Sequence, residues 1–381
     1  MADPYARWWC RMGEKATGFT YQDARGRPIT SEASLARISA LRIPPAWRGV
    51  RISPSASSKI QAIGFDQKGR KQYRYHPDWT QRRSAAKFSK LEAFAQQLPR
   101  FREVTSAHLN RPELDREKVL ALVSRLMSEG RFRVGSDRYV RENESYGLST
   151  LCRDHVAISE ACLAFDYRGK RGIAQNPVVC DADLSAVMRE LAALPGGRLF
   201  KAPRPDGQLA PLTSRDVNAY LKEIMGSEVS AKDFRTWTAT LLAARILADF
   251  GPAASEREAK RNLARCSEEV ARFLGNTPAI ARSSYIAPVV FACYRQGITL
   301  EHLMPSPSQC RTLMRQGYTP DEIALMRMLR IAPERPDAEL RITLYPETRA
   351  QAVPENGDGP ANASAGPSIV REFSRRGPSG G

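Results

Sequence analysis

The chain has 381 residues, with 58 Lys and Arg against 41 Asp and Glu for a formal charge of +17. That length points to two domains, and the cation excess points to a polyanionic partner such as nucleic acid. No apolar run approaches the roughly 18 residues of a bilayer-spanning helix, and residues 1–30 hold no apolar signal core. These features argue against a membrane or exported protein and for a cytoplasmic one. The seven cysteines are scattered without a Cys-x-x-Cys pair, and the four histidines lack ligand spacing. Reduced core thiols are therefore expected, with neither a zinc site nor a disulfide framework.

Residues 1–80 read as short strands and turns. Phe19 to Ile29 and Gly64 to Tyr75 each have the pattern of a hairpin, the second turning at Lys68-Gly69. Pro44-Pro45 breaks regular structure between them, and Pro77 to Arg83 reads as a linker. Helical periodicity then takes over. Ala85 to Leu98 is a helix ending before Pro99, and Arg116 to Glu129 carries a stripe of Val119, Leu122, Val123, Leu126 and Met127 with a stop at Gly130. Cys162 to Tyr167 and Ile173 to Val179 read as two strands around the basic turn Arg168-Gly169-Lys170-Arg171-Gly172. Ser214 to Met225 and Phe234 to Phe250 are helices, and Ser255 with Glu258 opens another as a capping box. The fold class is α+β: a small strand-rich domain over residues 1–80 and a larger, mainly helical domain with a small sheet over residues 81–345. Residues 346–381 are a disordered tail, too poor in large apolar groups to order themselves.

Cutting a phosphodiester with a side-chain nucleophile needs an aimed attacking oxygen, fixed cations for the growing phosphorane charge, and an acid for the leaving sugar oxygen. The chain offers such groups in order. Arg133 follows a helix stop, Lys170 sits at the tip of the basic hairpin, and Lys232 and Arg235 lie at a helix start. Asn276 and Tyr285 stand nine residues apart after an amphipathic helix. An arginine fork matches a phosphate in shape and keeps its charge. No Gly-x-x-x-x-Gly-Lys-Ser/Thr loop and no acidic set for magnesium is found, so neither ATP nor a metal or other cofactor is expected.

Four stretches carry a family resemblance. Lys68-Gly69-Arg70-Lys71-Gln72-Tyr73-Arg74-Tyr75 is similar to an N-domain hairpin of the type IB DNA topoisomerases. Arg133-Val134-Gly135, with Tyr139, Glu142-Asn143-Glu144 and Gly147 to Leu151, resembles their first arginine box. Phe165 through Gly169-Lys170 resembles their lysine hairpin. Lys232 to Thr236 and Gly275 to Tyr285 resemble the last two boxes. Residues 19 to 300 are covered, most closely in the manner of the small poxvirus-like branch found in many bacteria.

The resemblance implies roles. Tyr285 would hold the 3′ end of a cut strand as a phosphotyrosine, and Arg133 and Arg235 would clamp the nonbridging oxygens. Lys170 would protonate the departing 5′ oxygen, helped by Lys232. Asn276 would donate to a nonbridging oxygen where many relatives carry His. Arg70, Lys71, Gln72, Tyr73 and Tyr75 would contact duplex DNA from the N-terminal domain, and Tyr139 from the catalytic one. Ser136 stands where viral relatives carry a DNA-touching lysine. The implied partner is double-stranded DNA, gripped by a monomer that closes as a clamp in the nucleoid. Two other readings compete. In a tyrosine recombinase the second box usually has His three residues before the arginine, where this chain has Lys232. A non-catalytic DNA-binding protein would use the same cations and aromatics only for contact.

Overall fold

The computed structural model describes residues 3–129, 131–204 and 206–331. The stop expected at Gly130 and the tail expected over residues 346–381 lie outside the described residues.

The N-terminal region is one antiparallel sheet in the order β2-β1-β3-β4-β5, made of β1 (Trp9–Glu14), β2 (Gly18–Gln22), β3 (Arg48–Ile52), β4 (Ile60–Phe65) and β5 (Lys71–Tyr75). α1 (Glu32–Ala40) lays Ile38 on Val50, Ile52 and Ala62, which form a small core of their own. The β4–β5 hairpin forms as expected. Asp66 Oδ1 accepts the Lys68 and Arg70 N–H groups at 3.0 Å each, and Gly69 takes the left-handed conformation at φ 71°. The Phe19–Ile29 hairpin forms over its tip. The Asp23 N–H donates to the Arg27 carbonyl and the Ile29 N–H to the Tyr21 carbonyl, both at 2.9 Å, around a bridge between Gln22 and Pro28, while the long ladder of β2 is made with β1, from Cys10–Gln22 to Glu14–Gly18.

The linker expected over Pro77 to Arg83 is also overturned, because α2 (Pro77–Gln96) begins there. Pro77 stands at the first helical position, where its missing N–H costs nothing and its fixed φ favours the helix. His76 caps the turn by accepting the Asp78 N–H at 3.2 Å. Pro99 likewise lies in the first turn of α3 (Leu98–Leu109). α4 (Arg116–Ser128) follows, with Val119, Ala121, Leu122, Val123 and Leu126 fully buried at the centre of the second, larger core.

Beyond α5 (Asp137–Asn143), a three-stranded sheet is built from β6 (Val156–Ile158), β7 (Cys162–Phe165) and β10 (Val178–Cys180). The two strands expected here are each broken. β8 (Tyr167–Arg168) and β9 (Ala174–Gln175) form a separate two-stranded hairpin that carries the basic turn. The break falls at Asp166, between β7 and β8. Its N–H carries the β6–β7 pairing one step past Val156–Phe165, to the His155 carbonyl at 3.0 Å. The cysteine expectation is corrected as well. Cys162 and Cys180 face each other in the β7–β10 register and form a disulfide, while Cys10, Cys152, Cys266, Cys293 and Cys310 are free.

α6 (Ala182–Ala193), the β11 (Lys201–Pro203) and β12 (Leu209–Pro211) hairpin, and α7 (Ser214–Met225) lead into α8 (Ala231–Phe250). α8 starts at a reciprocal box in which Ser230 and Asp233 satisfy each other's backbone, and it stops at Gly251. α9 (Glu256–Leu274) is capped by Ser255, while the Glu258 carboxylate reaches one residue further back than a capping box, to the Ala254 N–H. α10 (Pro278–Ser284), α11 (Pro288–Arg295), α12 (Pro307–Arg315) and α13 (Pro320–Leu329) complete the described chain. Arg102 on α3 ties α13 in place through both carboxylate oxygens of the buried Glu322, at 2.6 and 3.0 Å.

Candidate active site

Arg133 is fixed by two glycines. Gly135 takes φ 93°, and a Cβ on Gly147 would lie 2.5 Å from the Arg133 carbonyl oxygen and 2.6 Å from the Gly135 nitrogen. Only hydrogen fits there. The approach lets Leu148 N–H donate to the Arg133 carbonyl at 2.9 Å and Ser149 N–H to Val134 at 2.7 Å. So anchored, Arg133 donates through Nη2 to Asn276 Oδ1 at 2.6 Å. The Asn276 Nδ2 is buried and has no hydrogen-bond partner among the described residues. A buried donor left over in this way is costly unless something else accepts from it.

Arg235 projects from the first turns of α8 and is 4% exposed. Its Nη1 donates to the Arg131 carbonyl at 2.7 Å and its Nη2 to the Leu274 carbonyl at 2.8 Å, so the ends of two other segments hold it. Burial, then the nearby Arg133, bring its pKa down to about 10, against the opposing pull of Tyr285 and Tyr167.

Tyr285 caps the short α10 and is half-buried, with the Arg235 guanidinium 5.4 Å from its ring centre. Burial alone would push its phenol up. Arg235, Arg133, a hydrogen bond from Arg235 and then Lys232 outweigh that effect and hold the phenol below the ordinary tyrosine value. Tyr167, also beside both arginines, goes the other way: deeper burial pushes it up to about 12. The same two arginines thus lie beside two phenols that are shifted in opposite directions.

Arg133, Arg235, Asn276 and Tyr285 therefore meet in one place. Lys232 is exposed one turn before Arg235 and acts on Tyr285 by charge. Lys170 is exposed at the tip of the β8–β9 turn. The base of its hairpin packs on the loop before Asn276: a Cβ on Gly275 would sit 3.0 Å from the Gln175 amide. The Tyr146 N–H joins the Arg133 loop to the same hairpin through the Arg168 carbonyl at 2.8 Å.

The residues expected to read DNA form a second group. On β5, Tyr73 and Tyr75 expose stacked rings 6.0 Å apart, and Trp79 continues the stack 4.6 Å beyond Tyr75. Lys71 is exposed over the Tyr5 ring. Arg70 and Gln72 are both engaged with Asp66, at 2.7 and 2.9 Å. Tyr139 on α5 is 56% exposed and lies near enough to Arg70 to favour its charged form, after the larger effect of Asp66.

Three residues at the site carry no sequence signal that singles them out. Besides Tyr167, they are Lys87 on α2, whose Nζ donates to the Ser284 carbonyl, and Thr240 on α8, whose hydroxyl lies 3.0 Å from the Tyr285 carbonyl. Their partners lie 197 and 45 positions away, beyond the reach of any local pattern. Among the described residues no group of three or more His, Cys, Asp or Glu side chains converges as a ligand set.

Comparison with known proteins bears on the whole of this arrangement. Residues 18–66 match the bacterial DNA topoisomerase IB N-terminal domain, and residues 67–293 match the eukaryotic DNA topoisomerase I catalytic core. The chain is 32% identical over 320 residues to DNA topoisomerase 1B of Acanthamoeba polyphaga mimivirus, covering 82% of this chain and 94% of that one. It is 25% identical over 242 residues to DNA topoisomerase 1 of Rabbit fibroma virus (strain Kasza), covering 61% and 71% of the two chains. It is 24% identical over 245 residues to DNA topoisomerase 1B of Vaccinia virus (strain Copenhagen), covering 62% and 72%. With two adjoining family matches and a relative aligned over nearly its full length, the chain belongs to the type IB DNA topoisomerases and is a type I topoisomerase enzyme.

Proposed function

We propose that this enzyme relaxes supercoiled duplex DNA by cutting and resealing one strand through a 3′-phosphotyrosine at Tyr285, using neither ATP nor a metal ion. The observation that carries the reading is the convergence of Tyr285, Arg133, Arg235 and Asn276 within hydrogen-bond and ring-contact range. The Tyr285 oxygen, its proton given up to solvent, attacks phosphorus in line, and the bond from phosphorus to the 5′ oxygen breaks. Lys170, assisted by Lys232, gives that oxygen its proton. Arg133 and Arg235 are permanent cations for the nonbridging oxygens, and the spare Asn276 Nδ2 supplies a neutral donor. One phosphodiester is exchanged for another of similar energy, so resealing is the reverse reaction and DNA torsion gives the direction.

Duplex DNA is gripped between an N-terminal lobe over residues 1–80 and a catalytic lobe over residues 81–345, followed by a tail over residues 346–381. A monomer closes on it as a clamp. Arg70, Lys71, Gln72, Tyr73 and Tyr75 face it from the first lobe and Tyr139 from the second. This is work for the cytoplasmic nucleoid.

The test is relaxation of a supercoiled plasmid in EDTA without nucleotide, together with capture of the covalent adduct on a suicide duplex. The wild type should relax the plasmid and yield a peptide modified at Tyr285, while Tyr285→Phe should bind duplex and give no adduct. Dependence on added metal, modification of another residue, or strand exchange confined to specific sites would each overturn the reading.

A further inference from the structure

We propose that Lys87 is a positioning residue for the Tyr285 nucleophile and that it links the DNA-facing strand β5 to the cleavage site. The inference rests on Tyr285 being the nucleophile, as proposed above.

The geometry is specific. Lys87 Nζ donates to the carbonyl of Ser284, the residue before Tyr285, and stands 5.3 Å from the Tyr285 ring centre. Its stem runs beside Phe88, with Nζ 4.5 Å from that ring. The same turn is held on its other carbonyl by Thr240, which also accepts the Ala287 N–H at 3.2 Å. Two side chains from two different helices thus fix consecutive peptide carbonyls around the nucleophile. α10 is only seven residues long and leaves its last carbonyls without intrahelical partners. A cation at that end satisfies one of them and suits the local dipole.

The charge setting argues against a purely structural lysine. The charges that act on Lys87 are Lys232 and, opposing it, Asp233, both on α8, and Lys87 lies against Tyr285, on which Arg235, Arg133 and Lys232 also act. A further half-buried ammonium beside that set of cations is unfavourable until an anion arrives. A polyanionic substrate supplies that anion.

The link to recognition follows from continuity. β5 ends at Tyr75 and α2 starts at Pro77, so a single helix runs from the aromatic ladder to Lys87, about 15 Å along its axis. A shift of β5 onto duplex is passed through α2 to the turn that aims Tyr285.

The test compares wild type, Lys87→Met and Lys87→Arg by single-turnover cleavage of a suicide duplex, religation of the preformed adduct, duplex affinity and thermal unfolding. A misaimed nucleophile loses about 10- to 100-fold in rate. Lys87→Met should therefore cleave at least about 10-fold more slowly. Its religation should stay close to wild type, because the phosphotyrosine bond then holds the side chain that Lys87 no longer aims. Its affinity should also be unchanged and its melting midpoint no lower. Lys87→Arg, which keeps the cation and the donor, should recover most of the cleavage rate. Equal slowing of cleavage and religation, a lowered midpoint that accounts for the loss, or unaltered cleavage would overturn the inference while leaving Tyr285 as nucleophile. A wild-type protein that forms no Tyr285 adduct would remove both.

Discussion

Arg235 and Lys170 are assigned to the same reaction but stand in opposite environments, and their substitution should separate accordingly. Arg235 is buried and satisfies the Arg131 and Leu274 carbonyls, so Arg235→Ala strands two acceptors as well as removing a phosphate clamp. We expect it to lower the unfolding free energy by about 1–3 kcal/mol in urea titration, and cleavage by at least about 100-fold. Lys170 is exposed at a turn, so Lys170→Ala should unfold like wild type and still lose cleavage. Equal stability loss in both would contradict these assignments. Lys87 adds a pH signature. Burial first, then Lys232, with Asp233 opposing, bring it from 10.5 to about 8. Below about pH 8 both native and unfolded chains carry its proton, and the native state bears the full cost. Between about 8 and 10.5 the unfolded chain holds a proton that the native one has released, so this contribution to stability rises with pH. Any melting advantage of Lys87→Met over wild type should therefore be largest below pH 8 and shrink across that window. An advantage that grows with pH would reverse the sign and refute the account.

At the scale of elements, the loop after α4 is a backbone device. Because a Cβ on Gly147 would meet the Arg133 carbonyl at 2.5 Å, Gly147→Ala must push the two loop segments apart and move Arg133 off Asn276. We expect cleavage to fall about 10- to 100-fold with the helices intact by circular dichroism, and unchanged cleavage would show that the approach is not what aims Arg133. This loop was legible as a sequence motif, since glycines at 135 and 147 flank the charged box. The apolar stripe of α4 and the cap of α9 were legible for the same reason: each is written within one or two turns. Pro77 misled because a proline breaks one element and begins another with equal ease, and only the fold of its neighbours decides. Cys162 and Cys180 were illegible as a pair because strand register, not spacing, brings them together. Lys87 was illegible because its partner is supplied by a different helix.

Across the whole molecule, two hydrophobic cores with different tasks share one charge surplus. The small core under the N-terminal sheet supports the aromatic ladder of β5, and the large one supports the arginines and Tyr285. A net charge of +17 gives affinity for any duplex by releasing counterions, so binding must weaken steeply with salt. Placement of the cations should divide that dependence from chemistry. Lys71 is exposed on β5, far in sequence from the site residues, and the task proposed for it is phosphate contact. Lys71→Ala should weaken duplex binding similarly across sequences and reduce the salt slope by about one. Cleavage of DNA already bound at saturation should be nearly unaltered. Tyr285→Phe should do the reverse, keeping the slope and losing cleavage. Fluorescence anisotropy on a labelled duplex over a range of salt, set beside single-turnover cleavage at saturating enzyme, measures both. If Lys71→Ala lost cleavage at saturation while its salt slope matched wild type, recognition and chemistry would not be divided between the two cores.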